Sequence, residues 1–209
     1  MKKLLCIIIC FFINVGYTQL IEVNPENMGM SSERLERITE LSKEYINDFN
    51  IPGIVTIVSR KGKIVYYKAF GSRDVQGEDK LLKDDLFRIY SMSKPVTAVA
   101  IMQLYEQGKF SLNDPVSKFL PELKNLKVLN EDGLLEDVST TMRMHHLLTH
   151  TAGFSYGFSD DPLDKLYAKA DLFYSENLED LVNRVAKLPL KFQPGTRYHY
   201  SIAVDLTGL

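Results

Sequence analysis

Ser91 and Lys94 are the two residues whose types and spacing most directly suggest covalent chemistry. They lie at the start of an apolar helical run, residues 95–107, which Gly108 ends. Proline has no N–H to donate, so Pro95 places the first helical turn close to Ser91. The Ser91 hydroxyl would then lie at the positive end of a helix dipole, and Lys94 would share its face. A hydroxyl, an amine and a helix N-terminus are the parts of a nucleophilic acyl-transfer site.

The same pattern has a simpler interpretation. An S-x-x-K sequence occurs about once by chance in a chain of this length, given ordinary serine and lysine usage. Ser91 could cap the helix, and Lys94 could extend into solvent. The nucleophile is therefore a hypothesis at this point, and the elements that would position the two residues have to support it.

Composition places these residues in a globular protein. The chain has 209 residues, of which 45% are hydrophobic and 25% are charged, and its formal net charge is −2. That length and apolar fraction suffice for a sizeable core. Because the chain lacks the basic balance that phosphate backbones require, we expect no nucleic-acid partner.

The first nineteen residues are typical of a secretory signal peptide. Two lysines precede an apolar run, residues 4–15, which is too short to span a bilayer comfortably. Small residues at positions 16 and 18 give a weak cleavage site. We therefore expect residues 1–19 to direct export to the periplasm or the exterior, leaving residues 20–209 as one domain without a membrane span. An uncleaved anchor is the alternative.

Cysteine and histidine give no sign of a metal or cofactor. Cys6 and Cys10 both lie within the predicted signal peptide, so the mature chain would have no thiol and no disulfide. His146 and His150 have the spacing of a metal pair on a helix, but the glutamate of H-E-x-x-H is missing and no third ligand is evident. We expect neither a metal nor a cofactor.

Periodicity and turn residues predict the elements around Ser91. Runs at 54–59 and 64–70 predict an antiparallel hairpin, and residues 86–90 predict a further strand. Two later stretches, 122–141 and 154–175, are predicted to be loops. The predicted helices are residues 31–46, 95–107, 142–149, 177–188 and the first turns of another at 203–209.

Four stretches in this order resemble the serine β-lactamase and penicillin-binding-protein superfamily, in the branch of class C β-lactamases, D-aminopeptidases and related esterases. The resemblance covers residues 52–209 and is specific because all four stretches occur in the same order along the chain. It implies an α/β fold of the α+β type, with an antiparallel sheet flanked by helices and a mostly helical inserted region. The stretches are Tyr90-Ser91-Met92-Ser93-Lys94, residues 112–122, residues 146–153, and Phe192-Gln193-Pro194-Gly195 with Tyr200-Ser201.

The resemblance also assigns roles to individual residues. Ser91 matches the family nucleophile, and Lys94 matches the lysine that helps to deprotonate it. Tyr200 matches the tyrosine of the second motif, Y-x-N in most β-lactamases of this branch, which acts as base or proton shuttle. This agrees with elementary chemistry, because a serine hydroxyl needs a base within hydrogen-bond reach.

Two departures from the family pattern bear on function. Ile202 stands where the Y-x-N motif has asparagine, so the amide that would meet a substrate amide is missing. The form of residues 200–208, Tyr-Ser-aliphatic-Ala-x-Asp-x-x-Gly, looks like the esterase branch. The family's third motif, Lys or His followed by a small residue and Gly, is expected beyond Leu209. We therefore expect residues 20–209 to be the N-terminal part of the fold.

The sequence thus predicts an exported serine hydrolase that forms an acyl-enzyme on Ser91. The substrate is expected to be a small-molecule carboxylic ester, with β-lactams or D-amino-acid peptides in second place. The alternative is a non-catalytic module that binds peptidoglycan-like peptides or a protein partner through the same cleft. Ile202 and the missing third motif favour the module, whereas the intact set of Ser91, Lys94 and Tyr200 favours the enzyme.

Overall fold

The computed structural model describes residues 20–48 and 51–209. The chain divides into two units, one that ends at Phe87 and one that runs from Arg88 to Leu209. The predicted signal peptide, residues 1–19, lies outside the described residues. Within the described ranges, no helix combines the length and the apolar character that a membrane span requires.

A helix and an antiparallel hairpin build the first unit. Helix α1 (Ser32–Asp48) is followed by β1 (Gly53–Arg60) and β2 (Lys63–Gly71), which pair from Gly53–Gly71 to Arg60–Lys63. The two turn residues between the strands have φ values of 52° and 69°, the left-handed pair that a tight hairpin needs. The predicted helix and hairpin are both confirmed.

The second unit consists of short helices and one small hairpin. One apolar core, described below, positions most of these elements but includes no residue of 93–106. The helices are α2 (Ser93–Glu106), α3 (Met144–Leu148), α4 (Pro162–Lys169) and α5 (Leu178–Val185), and the hairpin joins β3 (Lys127–Leu129) to β4 (Leu135–Asp137). Short 3-10 helices lie at Tyr90–Met92, Val116–Lys118, Pro121–Asn125, Leu172–Tyr174 and Asp205–Gly208.

The core of the second unit supports the segments that carry the predicted motifs. Leu147 of α3, Phe154 and Leu190 are fully buried within it, together with Ile202 and Leu206. Burying side chains of this size stabilises the fold by about 1.5–3 kcal/mol each. The core therefore holds the chain on both sides of residues 146–156 and 200–206, where the candidate site lies.

Three predictions of secondary structure are wrong. Residues 86–90 form no strand: they pair with no described strand, Leu86 is fully exposed, and Tyr90 begins a 3-10 turn. The predicted loop at 122–141 contains β3 and β4, strands too short to show a period. The predicted loop at 154–175 contains α4.

The start of α4 was visible in the sequence. Asp161 accepts a hydrogen bond from the Asp164 N–H and Pro162 occupies the first helical turn, which is a standard helix start. The other helix predictions are confirmed with shifted ends, except that residues 205–208 form a 3-10 turn. Eight residues give α4 little periodicity, so the cap and the proline were its only clear signals.

Replacing Gly153 with alanine should destabilise the protein more than the same change at Gly133. Both have positive φ, +93° and +78°, but an added Cβ at Gly153 would lie 2.5 Å from the Phe192 carbonyl oxygen, and at Gly133 it would meet nothing within 4 Å. We expect a loss of about 1 kcal/mol at Gly133, from backbone strain alone. At Gly153 we expect about 2–4 kcal/mol. Urea unfolding measures both, and equal losses would contradict the close approach.

Candidate active site

Ser91 lies in the 3-10 turn that leads into α2. The turn spans Tyr90–Met92 and the helix begins at Ser93, so Pro95 is in its first turn as predicted. Tyr90 adopts a φ of 46°, a left-handed conformation that is uncommon for a large side chain and stores strain. The strained residue presents the exposed Ser91 at the N-terminal end of the helix.

Lys94 is held by two partners from distant parts of the chain. Its Nζ lies 2.5 Å from the Tyr156 hydroxyl and 2.9 Å from an Asp205 carboxylate oxygen. The Tyr156 hydroxyl in turn donates to that carboxylate at 2.7 Å. The three groups form a closed triangle, and only 11% of the Lys94 side chain is exposed. The alternative of a fully solvated lysine is therefore wrong.

Tyr156 acts as a neutral donor within this triangle. Burial, together with the hydrogen bond to the Asp205 carboxylate, raises the pKa of Tyr156 far above its usual value. The phenol therefore keeps its proton at every physiological pH. It can hold the carboxylate and accept from the Lys94 ammonium, but it cannot serve as a base.

Tyr200 meets Lys94 through its ring. The Lys94 Nζ lies 5.5 Å from the centroid of the Tyr200 ring, a cation–π distance. The Tyr200 ring also lies 5.7 Å from that of Tyr156 and 4.6 Å from that of His150. The structure thus brings Lys94 and Tyr200 together, and Ser91 precedes Lys94 by three residues at the same helix end.

His150 holds the backbone beside Tyr200. Its Nδ1 accepts the N–H of Ser201 at 3.2 Å, and its carbonyl oxygen accepts the N–H of His199 at 2.9 Å. Burial and the nearby Lys94 ammonium lower the pKa of His150, which favours the neutral ring that this contact needs. Within residues 20–48 and 51–209, no three His, Cys, Asp or Glu side chains form a group suited to a metal.

A buried polar cluster connects the segments on which the two tyrosines lie. The Ser155 hydroxyl donates to Asp164 at 2.6 Å and lies 3.2 Å from the His199 Nε2. These are the residue types of a catalytic triad, but Ser155 is 1% exposed and lies between the other two. Its hydroxyl is therefore unavailable to a substrate, and the cluster positions the adjacent Tyr156 and Tyr200.

Of the two residues Ile202 and Asp205, only Asp205 supplies a polar group to the site. Ile202 is buried in the apolar core, 3% exposed, and offers no polar group to the site. Asp205, three residues later, places its carboxylate against Lys94. Sequence reasoning missed the roles of Asp205 and Tyr156. Asp205 was visible within the motif of residues 200–208, whereas Tyr156 lies in a segment with no recognisable pattern.

Comparison with known proteins settles the family. Residues 38–208 match the family model described as Beta-lactamase. The chain belongs to the beta-lactamase family. This confirms the resemblance drawn from the four motifs.

Named relatives and solved structures agree. The chain is 31% identical to esterase EstB of Burkholderia gladioli over 82% of its length and 43% of that protein. It is 32% identical to lovastatin esterase of Penicillium rubens, over 74% of this chain and 40% of the other. Its fold matches EstCE1, a hydrolase with promiscuous acyltransferase activity, with a TM-score of 0.70 and 29% identity. The match covers 83% of this chain and 45% of EstCE1.

These matches confirm the predicted fold class. The neighbouring structures have the β-lactamase and penicillin-binding-protein fold, and the described residues combine helices with antiparallel strands as expected. The chain spans less than half the length of each of these relatives. What the whole protein acts on is therefore a proposal, set out below.

Asp161 and Lys191 should make the stability of this unit depend on acid pH. Burial raises the pKa of Asp161, but the Lys191 ion pair and hydrogen bonds from Asp164 and Ser159 outweigh it and lower the pKa to about 2. The folded-state pKa is depressed, so the stabilisation is present above the unfolded value of about 3.9. It is lost as the pH falls towards 2.

Replacing Lys191 with methionine should therefore flatten the fall in the urea midpoint between pH 4 and pH 2. Replacing the exposed Lys169 with methionine is the matched control and should leave the fall as in the parent protein. If the urea midpoint falls equally with pH in all three proteins, the ion pair contributes nothing to the acid dependence of stability.

Proposed function

We propose that the protein is an exported serine hydrolase that cleaves carboxylic esters through an acyl-enzyme on Ser91. The observation that carries this proposal is the triangle around Lys94. A mostly buried ammonium is costly unless it is paired, and here it is held at the helix end that also presents Ser91. A solvated surface lysine would need none of these contacts.

The reaction follows from these positions. The Ser91 oxygen attacks the ester carbonyl while its proton passes to the pair of Lys94 and Tyr200. The amides at the start of α2 favour the negative charge that develops on the carbonyl oxygen. Collapse of the tetrahedral intermediate breaks the ester bond, and the alcohol leaves with the transferred proton. Water then attacks the acyl-enzyme by the same proton route, releasing the acid and restoring Ser91.

Asp205 and Tyr156 hold the Lys94 amine at the helix end that carries Ser91. They act through Lys94 and are positioning residues.

The site favours esters over β-lactams and D-amino-acid peptides. Ile202 lies in the core, so position 202 supplies no amide to pair with an amide of the substrate. An ester has no such N–H group to satisfy. The names of EstB and lovastatin esterase are consistent with this choice.

Export rests on the amino-terminal residues alone. The charged start and apolar run of residues 1–19 support a cleaved signal peptide. The intact mass of the protein isolated from its native host would report whether the segment has been removed.

Ser91 should react with a fluorophosphonate, which phosphonylates activated serines. We expect a single adduct in the intact mass of the complete protein, and the same adduct after replacement of Ser93 with alanine. The Ser91→Ala variant should form none and should lose ester hydrolysis by about 10³-fold or more. An unreactive protein that still binds peptides would favour the non-catalytic module, and full activity without Ser91 would refute the nucleophile.

Replacing Asp205 with asparagine should slow the labelling of Ser91 about tenfold or more. The amide keeps the shape of the side chain but not the charge that holds the Lys94 ammonium in place. The rate of Ser91 labelling at one fixed pH measures the effect, and urea unfolding shows whether the fold is kept. Asp132→Asn, at an exposed turn, is the control. Labelling at the parent rate would show that Asp205 does not position Lys94.

A further inference from the structure

Three aromatic side chains next to Lys94 form a surface that we call the aromatic platform: Tyr156, Phe158 and Phe173. Their ring planes are nearly parallel, with interplanar angles of 15°, 8° and 6°. The three centroid separations are similar, at 5.0, 5.7 and 6.1 Å. A column of three rings would make one separation about twice the others, so the rings lie side by side with offset planes.

The outer two rings of the aromatic platform face solvent. Phe158 is 76% exposed and Phe173 is 68% exposed, whereas Tyr156 is buried. Single exposed apolar residues are common, but an ordered group of exposed rings indicates a binding surface. Flat rings also lose little conformational freedom on binding, because each has only two side-chain torsions to restrict.

The aromatic platform is continuous with the candidate site through one residue. The hydroxyl of Tyr156 is the 2.5 Å partner of Lys94, and its ring lies 5.7 Å from that of Tyr200. A group lying on the platform is therefore a neighbour of the lysine that serves the reaction. Ligand sites typically combine such an apolar lining with a few convergent polar groups.

We infer that the aromatic platform binds a flat apolar group of the ester, so that the preferred substrates carry an aryl or similarly planar group. This inference rests on the proposed function and specifies its substrate class. Offset stacking of one ring on another contributes beyond the burial of area alone. The planar group can belong to the acyl part or to the alcohol part of the ester, and the two cases share the same chemistry.

A pair of isomeric esters distinguishes the two cases. Methyl naphthylacetate carries the aryl group on the acyl side and naphthylmethyl acetate carries it on the alcohol side, with methyl acetate as the small reference. Hydrolysis by the complete protein is followed by acid release. We expect the parent protein to prefer at least one naphthyl ester over methyl acetate, and the preferred isomer identifies the side.

Replacing Phe158 or Phe173 with alanine should reduce that preference. We expect kcat/KM for the preferred naphthyl ester to fall about three- to tenfold, mainly because KM rises. The kcat/KM for methyl acetate should stay within about twofold of the parent value. Phe158→Leu keeps the apolar area but not the flat face and should lose much of the same preference. Phe119→Ala, which removes a partly exposed ring elsewhere in the unit, should change neither substrate.

The outcomes separate this inference from the proposed function. Fluorophosphonate labelling of Ser91 and hydrolysis of methyl acetate test the function, and their absence would overturn both. If labelling and methyl acetate hydrolysis persist, but the platform variants hydrolyse all three esters with the same kcat/KM as the parent, the platform is not a substrate site. If the variants lower the melting temperature and the hydrolysis of all three esters alike, the rings are packing surface and the inference is refuted.

Discussion

The site depends on one electrostatic constraint, the pairing of a mostly buried ammonium with a carboxylate. A mostly buried ammonium such as that of Lys94 needs a partner of opposite charge, because removing an ion from water costs several kcal/mol. Asp205 supplies the opposite charge and Tyr156 satisfies both partners at once. The triangle joins the first turn of α2, the segment after α3 and the final 3-10 turn. These parts of the chain lie 62 and 111 residues from Lys94.

Two corners of the triangle, Tyr156 and Asp205, lie beside buried residues that fix the chain there. Tyr156 follows Ser155, whose hydroxyl is hydrogen-bonded to Asp164 and His199, and Asp205 lies three residues after the buried Ile202. A polar network that is fully satisfied is rigid, because any displacement leaves a buried group without its partner. The loops around the candidate site can therefore be irregular and still hold Lys94 in a fixed position.

Local rules account for what could be predicted from the sequence. Pro95 marked the start of α2, and the period of the β-branched runs marked the hairpin. S-x-x-K located Ser91 and Lys94 because those two residues are neighbours on one helical turn. Tyr156 could not be found this way, since its role arises from a contact across 62 residues. The wrong prediction of a strand at 86–90 also comes from a dependence on distant contacts. Its composition suits a strand, but a strand forms only where another strand pairs with it.

The helix that carries Ser91 and Lys94 has an unusual balance of surfaces. Apolar residues occur on all sides of α2, yet none of its side chains is buried, and Val96 and Val99 are 66% and 60% exposed. A helix that is apolar all round is stable when other chain covers it, and residues 88–209 cover little of it. The family members matched here are more than twice as long as the matched segment. The triangle fixes only the first turn of α2, so any contact that covers its remaining turns would also bear on the orientation of Ser91.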